Sequence, residues 1–290
     1  MNPEFRQNPR NHSIPIPEGA LSIEVEYKAK SSYPIIPSPS VEGTIGAKII
    51  APTYSAEQHN TWQKMYNKQS VLVQDHLCKE YIDGIRYLNF PLDKIPKLAE
   101  SSECLKKCTN WQVIRAEGLV SPVNFFALLA NKVFPCTDFI RHADEIDYTP
   151  APDTFHDQIG HLPMITNSRF AEFFHLFGIA GSAAKNEEEL MWFNRIYWFT
   201  VEFGLINETA HKGNDRDPKR TRIYGAGIAS SCGEIVYSLS DKVTKHPFSI
   251  EKMIETDFDI HRMQDQLFEI SSFDELETEF RNWATKKGFI

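Results

Sequence analysis

Two histidines five positions apart, with a carboxylate between them, stand in Phe155-His156-Asp157-Gln158-Ile159-Gly160-His161. Imidazole is the commonest protein ligand for transition metals, so the pair is a candidate metal site. On a regular α-helix, ligands four apart share a face, and a spacing of five turns the second ligand away. Gly160 offers a local remedy, because a flexible residue there lets the helix end or widen by one residue and swing His161 back. Taken singly, each histidine reads more simply as a hydrogen-bonded structural residue. Asp157 reads equally well as a carboxylate in the first turn of a helix, favoured by the dipole.

Two imidazoles alone hold a catalytic metal poorly, whereas two imidazoles, one carboxylate and open positions suit a non-haem iron(II) that binds oxygen. Most of the 39 acidic residues lie in polar surroundings, but Glu202 falls inside Ile196-Tyr-Trp-Phe-Thr-Val-Glu-Phe-Gly-Leu205, which offers it no solvated face. A buried carboxylate needs a cation, a hydrogen-bond network or a metal. Glu202 is therefore the expected third ligand. From the residue types alone, a zinc hydrolase with Asp157 as base and a non-catalytic binding protein stay open.

The elements that must position these groups are mostly helices. Ser55-x-x-Gln58 reads as a capping box opening a long helix, with Trp62, Met65, Tyr66, Leu72 and Val73 at helical spacing and an end near Gly84. Ser121 and Pro122 read as the N-cap and first residue of a buried helix carrying Phe125, Phe126, Leu128 and Leu129. Two apolar helical patterns fill residues 165–205, and Ser272-x-x-Glu275 opens a last amphipathic helix stopped by Gly288. Strand-like runs are short (21–27 and 222–228), so the expected architecture is mainly α with minor β, in a single domain over 51–290. Residues 1–50, with seven scattered prolines, suit an extended arm.

A net charge of −8 argues against a nucleic-acid or anionic-membrane partner. The amino terminus has no apolar targeting core, and no stretch is long and apolar enough to span a membrane, so a cytoplasmic location is expected. Five cysteines are sparse and odd in number, which points to reduced thiols. Cys104-x-x-x-Cys108 lacks a second ligand pair nearby and reads as part of a helix face.

Three segments, YTPAPDTFHDQIGHLP, IYWFTVEFGL and YGAGIASSCGE, occur in that order and resemble the catalytic domain of the pterin-dependent aromatic amino acid hydroxylases, most of all the bacterial phenylalanine hydroxylases. The resemblance covers about residues 110–285. It implies the fold of that catalytic domain and a monooxygenase that uses Fe(II), tetrahydrobiopterin and O2 to hydroxylate the ring of a free aromatic amino acid. The family's metal ligands correspond to His156, His161 and Glu202, the same three residues that ligand chemistry singles out.

By the same resemblance Arg141 binds the substrate carboxylate, for which a planar guanidinium is well suited. Thr149 lies near the substrate backbone, Trp198 lines the ring pocket, and Ser230 stands near the first iron histidine. Asp153 is expected to orient His156, since ligating imidazoles usually donate their other N–H to such a group. Phe125 corresponds to the residue on which the pterin stacks, with Gly118, Val120, Asp157 and Tyr197 also near that cofactor. Pro122 and Cys232 depart from the family pattern, and that bears on pterin affinity. Ile260 stands where tyrosine-preferring members carry an acidic residue, so L-phenylalanine is the expected substrate and L-tyrosine the product. Attack at the meta carbon, or on tryptophan, is the alternative. The charged segment 206–223 is longer than the family's turn and is expected to lie over or beside the site. With no regulatory domain or tetramerisation helix in the sequence, a monomer is expected.

Overall fold

The computed structural model describes residues 49, 52–116, 120–146, 152–207, 220–260 and 262–290. The expected arm, apart from Ile49, and the expected strand at 21–27 fall outside them, as do Gly118, Thr149 and most of the charged segment.

Ser55 opens α1 (Ala56–His76) through the capping box read from the sequence: Ser55 Oγ accepts from the Gln58 N–H, and Gln58 Oε1 accepts from the Ser55 N–H. The helix does not reach Gly84. Leu77 and Cys78 leave helical geometry to meet Ile223, whose carbonyl accepts from the Cys78 N–H at 2.9 Å. A second helix, α2 (Lys79–Leu88), then starts afresh. Gly84 sits inside it at a close approach, since a Cβ there would lie 2.2 Å from Pro163 O. Pairing with a distant strand thus breaks a helix whose sequence carries neither proline nor glycine at the break.

After α3 (Leu98–Thr109), strand β1 (Gln112–Ala116) runs parallel to β2 (Val133–Thr137), with α4 (Pro122–Ala130) as the crossover that a parallel pair requires. Ser121 caps α4 by accepting from the Asn124 N–H, and Pro122 takes the first helical position. A π-helical turn, His156–His161, leads into α5 (Leu162–Ile165), α6 (Ser168–Gly181) and α7 (Glu187–Tyr197), which passes into a second π-helical turn, Trp198–Glu202. A four-stranded sheet follows, ordered β4-β3-β6-β5, from β3 (Leu205–Asn207), β4 (Thr221–Ile223), β5 (Thr244–Pro247) and β6 (Gln266–Ile270). Helices α8 (Ala226–Ala229), α9 (Cys232–Ser238), α10 (Ile250–Glu255) and α11 (Phe273–Lys287) complete the described chain, and Gly288 ends the last at φ 78°.

The protein is mainly helical with short strands, and one continuous apolar core runs from α1 to α11. Its centre is aromatic: Phe173 and Phe177 of α6 meet Phe280 of α11 with ring centroids 5.3 and 5.6 Å apart. Trp111 stacks on Phe174 at 5.4 Å, Phe174 meets Phe134, and Phe134 lies 4.8 Å from the His161 ring. The metal-ligand candidates therefore stand at the edge of the core, where packing fixes their rotamers.

Candidate metal centre and ring pocket

The spacing of five that an α-helix could not use is the natural repeat of the π-helix, whose hydrogen bonds run from residue i to i+5. In that geometry His156 and His161 share a face, and their Nε2 atoms stand 3.1 Å apart. Gly160 contributes by close packing: a Cβ on it would lie 2.8 Å from Ala226 O. The second π-helical turn delivers Glu202, whose Oε1 lies 3.2 Å from His161 Nε2 and whose Oε2 lies 3.6 Å from His156 Nε2. All three donor atoms fall within 4.8 Å of one another. The His161 side chain is 3 % exposed, those of His156 and Glu202 16 % and 12 %, so the donor triangle has a closed side and an open one.

The supports of this triangle come from several elements. Ser230 Oγ donates to Ala226 O at 2.8 Å and so is free to accept from His156 Nδ1, 2.9 Å away. That arrangement places the imidazole proton on Nδ1 and leaves the Nε2 lone pair facing the centre. Tyr81 O–H donates to Ile159 O at 2.7 Å, and Gln69 Nε2 donates to both Tyr81 Oη and Ala229 O. Gln158, fully buried in the first π-helical turn, accepts from Ser101 Oγ and donates to Pro96 O and Thr154 Oγ1. None of these three polar anchors carries a spacing signal, and each reads in sequence as an ordinary helix residue.

Electrostatics follow from the same geometry. Burial alone would raise the Glu202 carboxyl, but His161 and His156 overcome it and hold that carboxyl far below the ordinary range. Burial lowers His156, and Glu202 outweighs it, so the imidazole stays more basic than usual. Burial raises the Tyr197 phenol well above its ordinary value, and the Glu202 carboxylate beside it adds to the rise.

Around the triangle, the structure rearranges one expected contact. Asp153 does not hold the His156 ring; Ser230 does. Asp153 is instead fully buried against Arg141, with Oδ2 accepting from Arg141 Nε at 2.8 Å and from its backbone N–H, and Oδ1 accepting from Nη2 at 2.9 Å. Asp153 touches His156 only through the latter's backbone N–H. The Asp157 carboxylate accepts from the Thr137 N–H and Oγ1 at 2.7 and 2.8 Å, which ties the π-helical turn to the end of β2 and leaves it poorly placed as a base.

On one flank Phe125 meets Tyr197 edge-on at 5.4 Å, and Tyr197 lies parallel to the His161 ring at 6.3 Å, a continuous aromatic path to the metal ligands. Val120, half-buried, borders Ile114, Leu128 and Val133. Cys232, half-buried, is the first residue of α9. On the other flank Trp198 lies between Phe203 and Phe258, each with its centroid 4.5 Å away. Ile260 is 53 % exposed, so the residue of that loop that reaches Trp198 is Phe258, which sequence reading passed over.

Two imidazoles and one carboxylate with an open side define a mononuclear non-haem metal site, and that donor set suits iron(II) better than a closed structural metal. A family model described as biopterin-dependent aromatic amino acid hydroxylase matches residues 26–288. The chain belongs to that family. It is 39 % identical over 212 residues to the phenylalanine-4-hydroxylase of Vibrio cholerae, covering 73 % of this chain and 70 % of that one. Identity to the tyrosine 3-monooxygenase of Schistosoma mansoni is 36 %, over 84 % of this chain and 51 % of that protein, so the chain spans about half of it. The structure superposes on Chromobacterium violaceum phenylalanine hydroxylase, solved with iron(III) and 7,8-dihydrobiopterin, with a TM-score of 0.74 and 35 % identity over 81 % of this chain and 82 % of that one.

Proposed function

We propose that the protein is a phenylalanine 4-monooxygenase, which converts L-phenylalanine to L-tyrosine with iron(II), tetrahydrobiopterin and O2. The observation that carries the reading is the convergence of the His156, His161 and Glu202 donor atoms within 4.8 Å, with one side open. Iron(II) and the reduced pterin, when bound, supply the electrons that reduce O2 so that one oxygen atom enters the ring.

The chain's own residues supply binding and orientation. Ser230 fixes the His156 tautomer, and Glu202 contributes the negative charge that balances a divalent ion. Asp153 occupies the Nε and Nη2 side of Arg141, leaving the Nη1 and Nη2 end for a substrate carboxylate in a second two-pronged contact. Thr149 assists at the substrate backbone. Trp198, with the apolar rings of Phe203 and Phe258 beside it, borders the aromatic ring. Phe125 and Tyr197 offer faces and edges to the pterin, with Gly118, Val120 and Asp157 near its edge.

A monomer in the cytoplasm belongs to the same reading; no helix among the described residues is long and apolar enough to cross a membrane. The test is incubation of purified protein with Fe(II), tetrahydrobiopterin and air, with phenylalanine, tyrosine and tryptophan offered separately. Para-tyrosine from phenylalanine is expected. No hydroxylated product, with iron demonstrably bound, overturns the proposal.

A further inference from the structure

Three rings form a stack that begins at the metal ligand. Phe203 and Glu202 both border Gly227, since a Cβ on that glycine would lie 3.0 Å from Phe203 Cε2 and 3.1 Å from Glu202 Oε2. Phe203 covers one face of the Trp198 indole at an interplanar angle of 31°, and Phe258 covers the other at 18°. Both separations are at the short end of aromatic contact, so neither face of Trp198 has room for another ring. The indole Nε1 is buried and has no hydrogen-bond partner among the described residues, so no polar contact fixes the indole and its orientation rests on the two rings.

Phe203 and Trp198 belong to the turn that carries Glu202, but Phe258 comes from the loop after α10. That loop is tied to α7 at its start and bonded to itself further on. Arg195 of α7 donates to Ile254 O at 2.5 Å and pairs with Asp257, and Gln264 Nε2 donates to Asp259 O and Arg262 O at 2.7 and 2.6 Å. Phe258 also meets Phe199 edge-on at 6.4 Å, beside buried Met253 and Phe268. The ring is thus held by packing against the same cluster that backs the Glu202 turn.

We propose that Phe258 is a specificity-determining residue: it closes the outer end of the ring pocket, so that a single six-membered ring fits and a bicyclic indole is refused. The inference rests on the reading of Trp198 as a wall of the substrate pocket. Because both faces of the indole are already covered, a substrate ring meets the stack along its edges, and the length of the stack limits the length of the ring. Of the three stacked rings, Phe258 alone can be cut back without altering the segment that holds Glu202.

The experiment compares wild type with Phe258→Ala, Phe258→Val and Phe258→Tyr. It measures kcat/KM for L-phenylalanine and L-tryptophan, and separately the calorimetric binding of both amino acids to Co(II)-loaded protein, which reads pocket shape without turnover. Phe258→Ala and Phe258→Val are expected to raise the tryptophan-to-phenylalanine ratio about tenfold or more, mainly through KM and with a matching change in binding, while Phe258→Tyr keeps the wild-type ratio. Near-ultraviolet circular dichroism identifies a variant that fails to fold, and Phe258→Val carries the test if the alanine variant does. An unchanged ratio in a folded variant, with wild type active on phenylalanine, overturns the role of Phe258 and leaves the proposed function standing. Wild type that binds metal yet neither binds nor hydroxylates phenylalanine overturns both.

Discussion

Arg141 and Asp153 form a two-pronged ion pair in which the carboxylate is fully buried and the arginine side chain 5 % exposed. Burial alone would raise the Asp153 carboxyl, and Arg141 more than offsets it, so that the group ionises below its ordinary 3.8. Its contribution to stability is present above pH 3.8 and is lost as pH falls through the lower folded-state value. Asp153→Asn leaves the guanidinium buried without its counter-charge, which costs about 3–5 kcal/mol. Urea unfolding at pH 7 measures that loss, and it should shrink on acidification.

Arg141→Lys keeps the positive charge but replaces a rigid fork with a single ammonium. KM for the amino acid should rise about tenfold or more, one bidentate contact being worth roughly 1.5–3 kcal/mol, while bound metal stays unchanged. An unaltered dependence of rate on phenylalanine concentration would remove Arg141 from the substrate site.

Ser230→Ala takes away the acceptor that holds the His156 proton on Nδ1. Metal affinity should fall about 10- to 100-fold, as is usual when a partner of a ligating histidine is lost. Titration with Co(II), followed by its visible absorption, reads the change directly.

His161→Ala removes one of three ligands and opens a cavity against Phe134. Metal binding and pterin-dependent turnover should disappear together. Retention of one metal equivalent at wild-type affinity excludes His161 from the ligand set.

Burial pushes the Glu234 carboxyl up to about 7. A carboxyl raised in the folded state is a cost once it ionises more readily unfolded, so it lowers stability progressively from pH 4.5 to about 7. Glu234→Gln should therefore be stabilising at pH 8 and neutral near pH 4. Equal effects at the two values would mean that the carboxylate is solvated.

Much of the scaffold was legible in the sequence because local chemistry encodes it. The Ser55 box, the Ser121-Pro122 start and the Gly288 stop sit where cap preferences place them. Ser272 also caps α11, although Glu275 reaches the N–H of Ser271 instead of completing a box with Ser272. What was illegible is what depends on distant partners. The break at Leu77-Cys78 exists because Ile223 is there to pair with it, and β1 and β2 form across an intervening helix. At the site, type and spacing pointed to His156, His161 and Glu202. Gln69, Tyr81 and Gln158 escaped because a buried polar helix residue is revealed only by its partners. Asp153 was drawn toward the nearer histidine in sequence, whereas the stronger charge beside it in space is Arg141.

The two π-helical turns make the metal ligands hostage to a count. Each turn holds one residue more than an α-helical path between the same anchors. Were the same residues to take ordinary α-helical bonding, His156 and His161 would keep their spacing of five and His161 would rotate off the shared face. A better-formed helix would thus leave the protein blind to its metal, so the bonding pattern of this segment matters as strictly as the identity of its histidines.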